Sequence, residues 1–268
     1  MNVHSGGGEV SAVRVHRVVE GSVDGPAVVF ANSIGSDHRM WEPQVAPLVA
    51  HGFRVIRYDT RGHGASPVPP GPYELEDLGA DLLALLDELG VERAHLAGLS
   101  LGGMTGLWAG VHAPERIASL TLCCTSAKLG PAKVWVERAA KVRAEGTGSV
   151  AEAGVGRWLT IAYAQAHPDV VAFLRDMIAA TPREGYAACC GVIERMDLLG
   201  ELSKIGAPTL VISGAEDPAT PAEPHGRLIA EGVPGARFEV VASAAHLGSY
   251  EQPAEFTRLI LEHLTEGE

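Results

Sequence analysis

Short apolar runs alternate with amphipathic segments along most of the chain. Each apolar run is about as long as a buried β-strand, and the runs occupy residues 27–31, 53–58, 93–97, 119–123, 209–213 and 237–241. The segments between them repeat apolar residues at helical spacing, which predicts helices at residues 41–50, 78–89, 101–112, 223–231 and 254–264. Strands and helices in alternation predict an α/β fold, in which a mostly parallel twisted sheet has helices on both faces.

The alternation stops between residues 126 and 205, where the chain is rich in Ala, Arg and Glu and has helical periodicity without a strand-like run. We interpret this segment as a helical cap inserted between two strands of the sheet. Such a cap would lie over the carboxyl ends of the strands, where open α/β sheets bind their ligands. The predicted organisation is therefore a core domain of residues 1–125 and 206–268 and a cap of residues 126–205.

The chain has 268 residues, enough for one α/β core with an insertion, and a formal net charge of −12. This charge repels nucleic acid and anionic membrane surfaces, so neither is expected as a partner. The sequence has no apolar stretch long enough to cross a bilayer and no basic start followed by an apolar run, which favours a cytoplasmic protein. The four cysteines form the adjacent pairs Cys123-Cys124 and Cys189-Cys190, which lack metal-site spacing and are interpreted as small buried residues.

The most informative motif is Gly98-Leu99-Ser100-Leu101-Gly102, because it lies between a predicted strand and a predicted helix. A G-x-S-x-G sequence in that position is typical of a nucleophile elbow, a sharp turn that exposes the serine at the end of the sheet. Glycine at both flanking positions lets the backbone turn without a steric clash. An ordinary tight turn has a similar composition, so the prediction of Ser100 as the nucleophile depends on a base and an acid elsewhere in the chain.

A serine hydroxyl needs a histidine to take its proton and a carboxylate to orient that histidine. Asp217 follows the predicted strand at residues 209–213, and His246 follows the last predicted strand. Glu216 is the alternative acid, and helix capping is the alternative role for Asp217. The chain order Ser100, Asp217, His246 is the order expected for this alternation of strands and helices, which favours a Ser-His-Asp triad.

The oxyanion that forms during acyl transfer needs two backbone N–H donors. The N–H of Leu101, directly after the nucleophile, is predicted to be one of them. The loop at residues 32–36 follows the first predicted strand and should supply the other. We predict the N–H of Ile34, with Ser33 or its hydroxyl as the alternative donor.

A glycine-rich run follows the second predicted strand. Residues 59–66 read Asp-Thr-Arg-Gly-His-Gly-Ala-Ser, which lacks the lysine and the spacing of a phosphate loop. No G-x-G-x-x-G sequence lies where a dinucleotide site would need it. We therefore interpret the run as a structural turn that joins sheet and helix.

Four stretches of the predicted core carry a resemblance to a known family. They are Asn-Ser-Ile-Gly-Ser-Asp at residues 32–37, Met40-Trp41, Arg-Tyr-Asp-Thr-Arg-Gly-His-Gly at residues 57–64 and Gly-Leu-Ser-Leu-Gly-Gly at residues 98–103. Together with the cap stretches at residues 134–138, 157–158 and 184–186, they resemble the 3-oxoadipate enol-lactonases of the α/β-hydrolase superfamily. The resemblance covers essentially the whole chain and implies an α/β-hydrolase fold with the cap after the sixth strand. Asn32-Ser33 replaces the histidine-glycine pair that is common at this position in the superfamily, which agrees with the lactonase resemblance.

The resemblance implies hydrolysis of 3-oxoadipate enol-lactone to 3-oxoadipate, with no cofactor and no metal, in the degradation of protocatechuate or catechol. The lactone is a small anion, so the pocket should hold its carboxylate with a cation or hydrogen-bond donors. Arg138 is the first candidate, with Trp135 as an apolar wall, and Arg157 is the second; a solvated helix face is the alternative for both arginines. A generalist carboxylesterase with the same triad and a non-catalytic sensor on a hydrolase scaffold are the alternative functions.

Overall fold

The apolar runs form strands of one sheet in the computed structural model, which describes residues 12–265. The strands are β1 (Arg17–Glu20), β2 (Ala27–Ala31), β3 (Arg54–Tyr58), β4 (Ala94–Leu99), β5 (Ile117–Cys123), β6 (Thr209–Gly214) and β7 (Arg237–Val241). They lie in the order β1-β3-β2-β4-β5-β6-β7, and every neighbouring pair is parallel except β1 and β3. The structure confirms the predicted α/β fold with a mostly parallel sheet.

The helices between the strands mostly match the predicted segments. They are α1 (Glu42–Ala50), α2 (Leu75–Glu88), α3 (Leu101–His112), α4 (Ala132–Glu145), α5 (Gly148–Trp158), α6 (Ile161–Ala166), α7 (Pro168–Ala180), α8 (Arg183–Arg195), α9 (Arg227–Gly232), α10 (Gly248–Glu251) and α11 (Pro253–Thr265). Short 3-10 helices occupy His38–Trp41, Pro114–Arg116 and Leu199–Lys204. α3 has the predicted bounds, whereas α2 begins before its predicted start because Glu74 and Asp77 form a capping box.

Besides the short helix α10, which the apolar pattern does not predict, two elements differ from the sequence prediction. The predicted helix at residues 223–231 is interrupted, because Glu223 has extended backbone angles (φ −106°, ψ 123°) ahead of Pro224. A π-helical turn spans Ala222–Gly226, and α9 starts only afterwards. The apolar pattern also does not predict β1, since this strand lies at an edge of the sheet and its side chains are at most partly buried, so it has no continuous apolar run.

Residues 126–205, which we call the cap, contain helices α4 to α8 and no strand. Within the cap, α4 packs mainly against α8, and α5 packs against α7. The resemblance implied insertion after the sixth strand. Among residues 12–265 the strand before the cap is the fifth, because β1 alone precedes β2 there.

The centre of the sheet is the core of the protein. Every residue of β2 and β6 is buried, so both faces of these strands are covered, and they read as continuous apolar runs rather than as alternating patterns. All four cysteines are free and buried, as predicted, and burial raises the pKa of each thiol. Across residues 12–265, no helix combines the length and the apolar character that a membrane span needs.

Candidate active site

Ser100 lies in the turn between β4 and α3, with backbone angles (φ 56°, ψ −114°) that residues other than glycine rarely adopt. Three hydrogen bonds fix its backbone. Its N–H donates to the carbonyl of Cys123 (3.0 Å), and its carbonyl accepts from the hydroxyl of Thr125 (2.6 Å) and from the N–H of Met104 (2.9 Å). A Cβ atom at Gly98 would lie 2.2 Å from the carbonyl oxygen of Gly102, so the turn requires glycine there. The strained serine is therefore held at the carboxyl end of β4.

The second glycine of the motif brings the start of α3 against the end of β2. A Cβ atom at Gly102 would lie 2.2 Å from the carbonyl oxygen of Ala31 and 2.8 Å from the nitrogen of Asn32. This close approach brings the start of α3, which contains Leu101, next to the loop that contains Ile34. The two backbone donors predicted for an oxyanion thus come from neighbouring turns.

Ser33, the alternative oxyanion donor, directs its backbone N–H to the sulfur of Met40 at 3.3 Å. Its hydroxyl oxygen is buried and has no hydrogen-bond partner within residues 12–265. Ser33 lines the same cavity as Ile34 and Ser100. The geometry therefore favours the N–H of Ile34 over that of Ser33, and it leaves the Ser33 hydroxyl available to a bound molecule.

Asp217 and His246 lie in the turns after β6 and β7, and the imidazole Nδ1 is 2.9 Å from the carboxylate Oδ2. The same Oδ2 accepts a hydrogen bond from the Thr220 hydroxyl (2.8 Å), and Oδ1 accepts from the N–H groups of Ala219 (2.8 Å) and Thr220 (3.1 Å). The carboxylate therefore caps its own turn and also orients the imidazole, so the two interpretations of Asp217 are compatible. Glu216, the alternative acid, is exposed.

Burial and polar contacts act in opposite directions on the Asp217 carboxyl. Burial raises its pKa, but the charge of His246 and the hydrogen bonds from His246 and Thr220 together lower it by more, so the pKa lies below the usual aspartate value. The carboxylate is therefore ionised at neutral pH. An ionised carboxylate at Nδ1 fixes the tautomer of the imidazole and stabilises its protonated form, which a serine nucleophile requires of its base.

A cavity of about 190 Å³ connects these side chains with the cap. Ser100, Ile34 and His246 line it from the core. Asp217 does not line the cavity, but it is hydrogen-bonded to three residues that do: Ala219, Thr220 and His246. Leu101 has a fully buried side chain, so it could contribute only its backbone N–H. The cap contributes both predicted arginines and several aromatic and apolar side chains: Trp135, Arg138, Arg157, Trp158, Ile178 and Tyr186.

The two cap arginines give this cavity its charge. The guanidinium carbon of Arg138 lies 4.5 Å from the centre of the Trp135 ring, which is a cation–π contact. Burial, and then the positive charge of Arg138, lower the pKa of Arg157. Neither arginine forms an ion pair with a carboxylate in the part of the chain that the structure describes. Positive charge is thus concentrated at one cavity of a protein whose net charge is −12, as a site for a small anion requires.

Trp158 and Tyr186 line the cavity although no role is predicted for them from the sequence. Both lie in cap stretches that carry the family resemblance, so that resemblance is the signal that could have found them. Burial raises the pKa of Tyr186 to about 12, although Arg138 and Arg157 partly oppose this effect, so its hydroxyl is a hydrogen-bond donor at neutral pH. Ile178 has no local signal, because only the packing of α7 against α5 brings it to the cavity.

The glycine-rich run after β3 forms a turn, as predicted. The buried carboxylate of Asp59 accepts hydrogen bonds from the N–H groups of His38 (2.8 Å) and Ala65 (2.9 Å). The Nδ1 atoms of His16 and His38 lie 3.1 and 2.9 Å from the same carboxylate, and these three side chains are close enough together to hold a metal ion. The same short distances are also explained by hydrogen bonds from the two imidazoles to the carboxylate. None of the three residues lines the Ser100 cavity.

Comparisons with known proteins identify similar chains. The family model described as alpha/beta hydrolase fold matches residues 26–253. The 3-oxoadipate enol-lactonase 2 of Acinetobacter baylyi is 40% identical over 90% of this chain and 89% of that protein. The crystal structure of the enol-lactonase from Burkholderia xenovorans LB400 is 42% identical, with a TM-score of 0.92, over 95% of this chain and 99% of that one. A malate-bound thermophilic esterase from Thermogutta terrifontis is 33% identical, with a TM-score of 0.88, over 94% and 93% of the two chains.

Proposed function

The chain belongs to the α/β-hydrolase family and is a carboxylic ester hydrolase, and we propose that it hydrolyses 3-oxoadipate enol-lactone to 3-oxoadipate. The main observation behind the proposal is the set of side chains that line the cavity. In it, a serine and a histidine from the core face two cap arginines that have no carboxylate partner within residues 12–265. The substrate combines a reactive lactone carbonyl with a free carboxylate, and each matches one side of that cavity.

In the proposed acylation step, Nε2 of His246 takes the proton of the Ser100 hydroxyl as its oxygen attacks the lactone carbonyl carbon. The hydrogen bond between Nδ1 and Asp217 leaves Nε2 as the proton acceptor. The carbonyl oxygen becomes an oxyanion, which the N–H groups of Ile34 and Leu101 bind. Removing one such donor typically costs about 3 to 4 kcal/mol of transition-state stabilisation.

Collapse of the tetrahedral intermediate breaks the bond between the carbonyl carbon and the ring oxygen. The leaving group is an enolate that stays attached to the acyl chain. It takes up the proton that His246 removed from Ser100 and becomes a ketone, which leaves His246 neutral for the next step. Because conjugation stabilises this leaving group, protonation by His246 matters less than it does in amide cleavage. A water molecule that gives its proton to His246 then attacks the acyl-enzyme. His246 returns this proton to the Ser100 oxygen as the bond to the acyl carbon breaks, and the new carboxylic acid leaves.

We assign recognition of the substrate carboxylate to Arg138 and Arg157. Both face the cavity and lack an ion-pair partner within residues 12–265, so a bound carboxylate would supply the missing negative charge. Hydrogen bonds between ionised groups are stronger than neutral ones, and exclusion of water strengthens them further. Trp135 is the proposed apolar wall, since its ring packs against the guanidinium of Arg138.

We assign this reaction to the cytoplasmic β-ketoadipate pathway, in which protocatechuate or catechol is degraded. The name of the Acinetobacter relative, 3-oxoadipate enol-lactonase 2, supports the choice of reaction. Nucleophile, base and oxyanion donors are all supplied by the chain, so the proposed reaction needs no cofactor.

The test is the ultraviolet absorbance of freshly generated 3-oxoadipate enol-lactone, followed with the purified protein. We expect rapid loss of the lactone, no catalysed loss with Ser100→Ala, and slower turnover of neutral p-nitrophenyl esters. Ser149→Ala, which changes a cap serine that does not line the cavity, is the matched control. Ester turnover without lactone turnover would identify a generalist carboxylesterase, and single labelling of Ser100 without product release would identify a sensor.

A further inference from the structure

A buried carboxylate outside the triad connects the cap to the loop that carries His246. Glu251, at the end of α10, is 4% exposed. Its Oε1 accepts hydrogen bonds from the hydroxyl and from the N–H of Thr160 in the cap, the latter at 3.0 Å. Its Oε2 accepts a hydrogen bond from the N–H of Ala245 at 2.8 Å. No ion pair compensates Glu251 within residues 12–265, so these three donors balance its charge.

A second hydrogen bond joins the same two segments. The N–H of Leu247 donates to the carbonyl of Trp158 at 2.8 Å. The residues on both sides of His246 are therefore bound to the cap, Leu247 directly and Ala245 through Glu251. Because both neighbours are bound in this way, the position of the His246 backbone depends on the position of the cap segment.

The cap segment that holds this loop also borders the substrate cavity. α5 ends with Arg157 and Trp158, which both line the cavity, and Thr160 follows two residues later. A movement of the end of α5 would displace the donors of Glu251, and Glu251 would displace the N–H of Ala245. The position of the cap and the position of the base are thus coupled through the Glu251 carboxylate, in addition to the hydrogen bond between Leu247 and Trp158.

We propose that Glu251 is a positioning residue for the hydrolytic reaction, because it couples the position of the cap to that of His246. This inference rests on the proposed triad. An ionised carboxylate accepts all three hydrogen bonds, since it offers only acceptor atoms. A glutamine of the same shape would turn its NH₂ group toward a backbone N–H, either that of Ala245 or that of Thr160. Two donors would then face each other, and the His246 loop would separate from the cap.

Glu251→Gln is the principal test. We expect kcat to fall by about tenfold to a hundredfold on both the lactone and a neutral p-nitrophenyl ester, because a misplacement of about 1 Å has an effect of this size. KM for the lactone should change little, since the two arginines are untouched. Rates are expressed per active site, titrated with a fluorophosphonate, so that a smaller folded fraction does not count as slower chemistry.

Substitutions at Thr160 give a second, milder test that does not depend on how Glu251→Gln folds. Thr160→Val removes the hydroxyl donor and should lower kcat, whereas Thr160→Ser keeps the donor and should restore it. Thr147→Val is the matched control, because this buried cap threonine donates to the carbonyls of Ala179 and Thr181 and not to the His246 loop. Its kcat should equal that of the wild type.

Three results would contradict the inference. The first is an unchanged kcat per active site in Glu251→Gln, and the second is an equal loss in Thr160→Val and Thr147→Val. The third is a loss confined to the lactone and seen as a higher KM, which would mean that Glu251 acts on substrate binding and not on His246. Activity that persists in Ser100→Ala would refute the triad, and with it this inference, independently of any result at Glu251.

Discussion

The turns of the core and the helices of the cap hold their functional side chains in different ways. In the core, Ser100, Asp217 and His246 are fixed by backbone contacts and by direct hydrogen bonds. In the cap, Arg138 and Arg157 are held by helix packing, burial and an aromatic ring, with no ion pair in the part of the chain that the structure describes. The core thus fixes the relative positions of its three side chains, whereas the cap leaves the positive charge of its two arginines available to a ligand. This difference supports the proposal that the core carries the reaction chemistry and the cap carries the choice of substrate.

The largest expected effect is at Asp217. Asp217→Asn keeps the size of the side chain but loses the charge that holds the imidazole tautomer, so kcat should fall by about 10³- to 10⁴-fold. Steady-state kinetics on the lactone measure this loss. Glu216→Gln is the control, because Glu216 is exposed and its variant should keep wild-type kcat. Similar losses in both variants would show that the acid is not confined to Asp217.

Alanine substitutions at one glycine of the core and one of the cap compare how tightly the two regions are packed. At Gly102 a Cβ atom would overlap the backbone of Ala31 at 2.2 Å, so Gly102→Ala should lower the free energy of unfolding by about 3 kcal/mol. At Gly156, in α5, a Cβ atom has no heavy atom within 4 Å, so Gly156→Ala should raise it by about 0.5 to 1 kcal/mol. Urea denaturation measures both values. A neutral Gly102→Ala would mean that the elbow can relax.

The pH dependence of the free energy of unfolding tests the burial of His63 at the contact between core and cap. Its ring is buried 6.4 Å from that of Tyr186, and burial lowers its pKa from 6.5 to about 4. The unfolded chain binds this proton near pH 6.5 and the folded chain only near pH 4. The contribution of His63 to the free energy of unfolding is therefore fully present above pH 6.5. It is lost as the pH falls to 4, which lowers the free energy of unfolding by about 3 kcal/mol.

His63→Asn should flatten this part of the stability profile, because an amide can still donate to the carbonyl of Arg61 but does not titrate. Urea denaturation of both proteins between pH 4 and pH 7 measures the difference (about 3 kcal/mol across that interval). Parallel profiles would show that another group carries the acid sensitivity.

The smallest expected effect on catalysis concerns the cap arginines. Arg157→Gln and Arg138→Gln should each raise KM for the anionic lactone by about tenfold, the value of one hydrogen bond to a charged group. The same variants should leave KM for a neutral p-nitrophenyl ester unchanged. Arg175→Gln is the control, because Arg175 is an exposed cap arginine that does not line the cavity. Equal effects on both substrates would place the arginines outside carboxylate recognition.

The sequence predicts the elements of the core better than those of the cap. Ser100, Asp217 and His246 follow apolar runs, so their proximity at one edge of a parallel sheet could be expected, although their catalytic roles stay predictions. The sequence predicts the N–H of Ile34 with Ser33 as the alternative, and the contact that disfavours Ser33 has no sequence signal, because it depends on the Met40 sulfur that the fold places at the Ser33 N–H.

The contacts of Glu251 had no signal at all in the sequence. Its hydrogen-bond donor Thr160 is 91 residues away along the chain, and only the tertiary fold brings the two together. Similarly, Ile178 reaches the cavity through helix packing that no local pattern encodes. Residues that act at a strand end are visible in a sequence, whereas residues that join two distant segments are not.

The adjacency of β5 and β6 has an evolutionary consequence. Their backbones are neighbours in the sheet, with Leu122 opposite Val211 and Cys123 opposite Ile212. At the base of the cap the N–H of Leu198 donates to the carbonyl of Ala127 at 2.8 Å. The chain therefore leaves for the cap and returns from it at almost the same point, and insertions or deletions between these two residues leave the register of the sheet unchanged. Mutation can remodel the cap, and thereby the range of compounds accepted, without rebuilding the nucleophile. The constraint on such divergence is the short segment around Thr160, which a new cap must reproduce to keep the base in place.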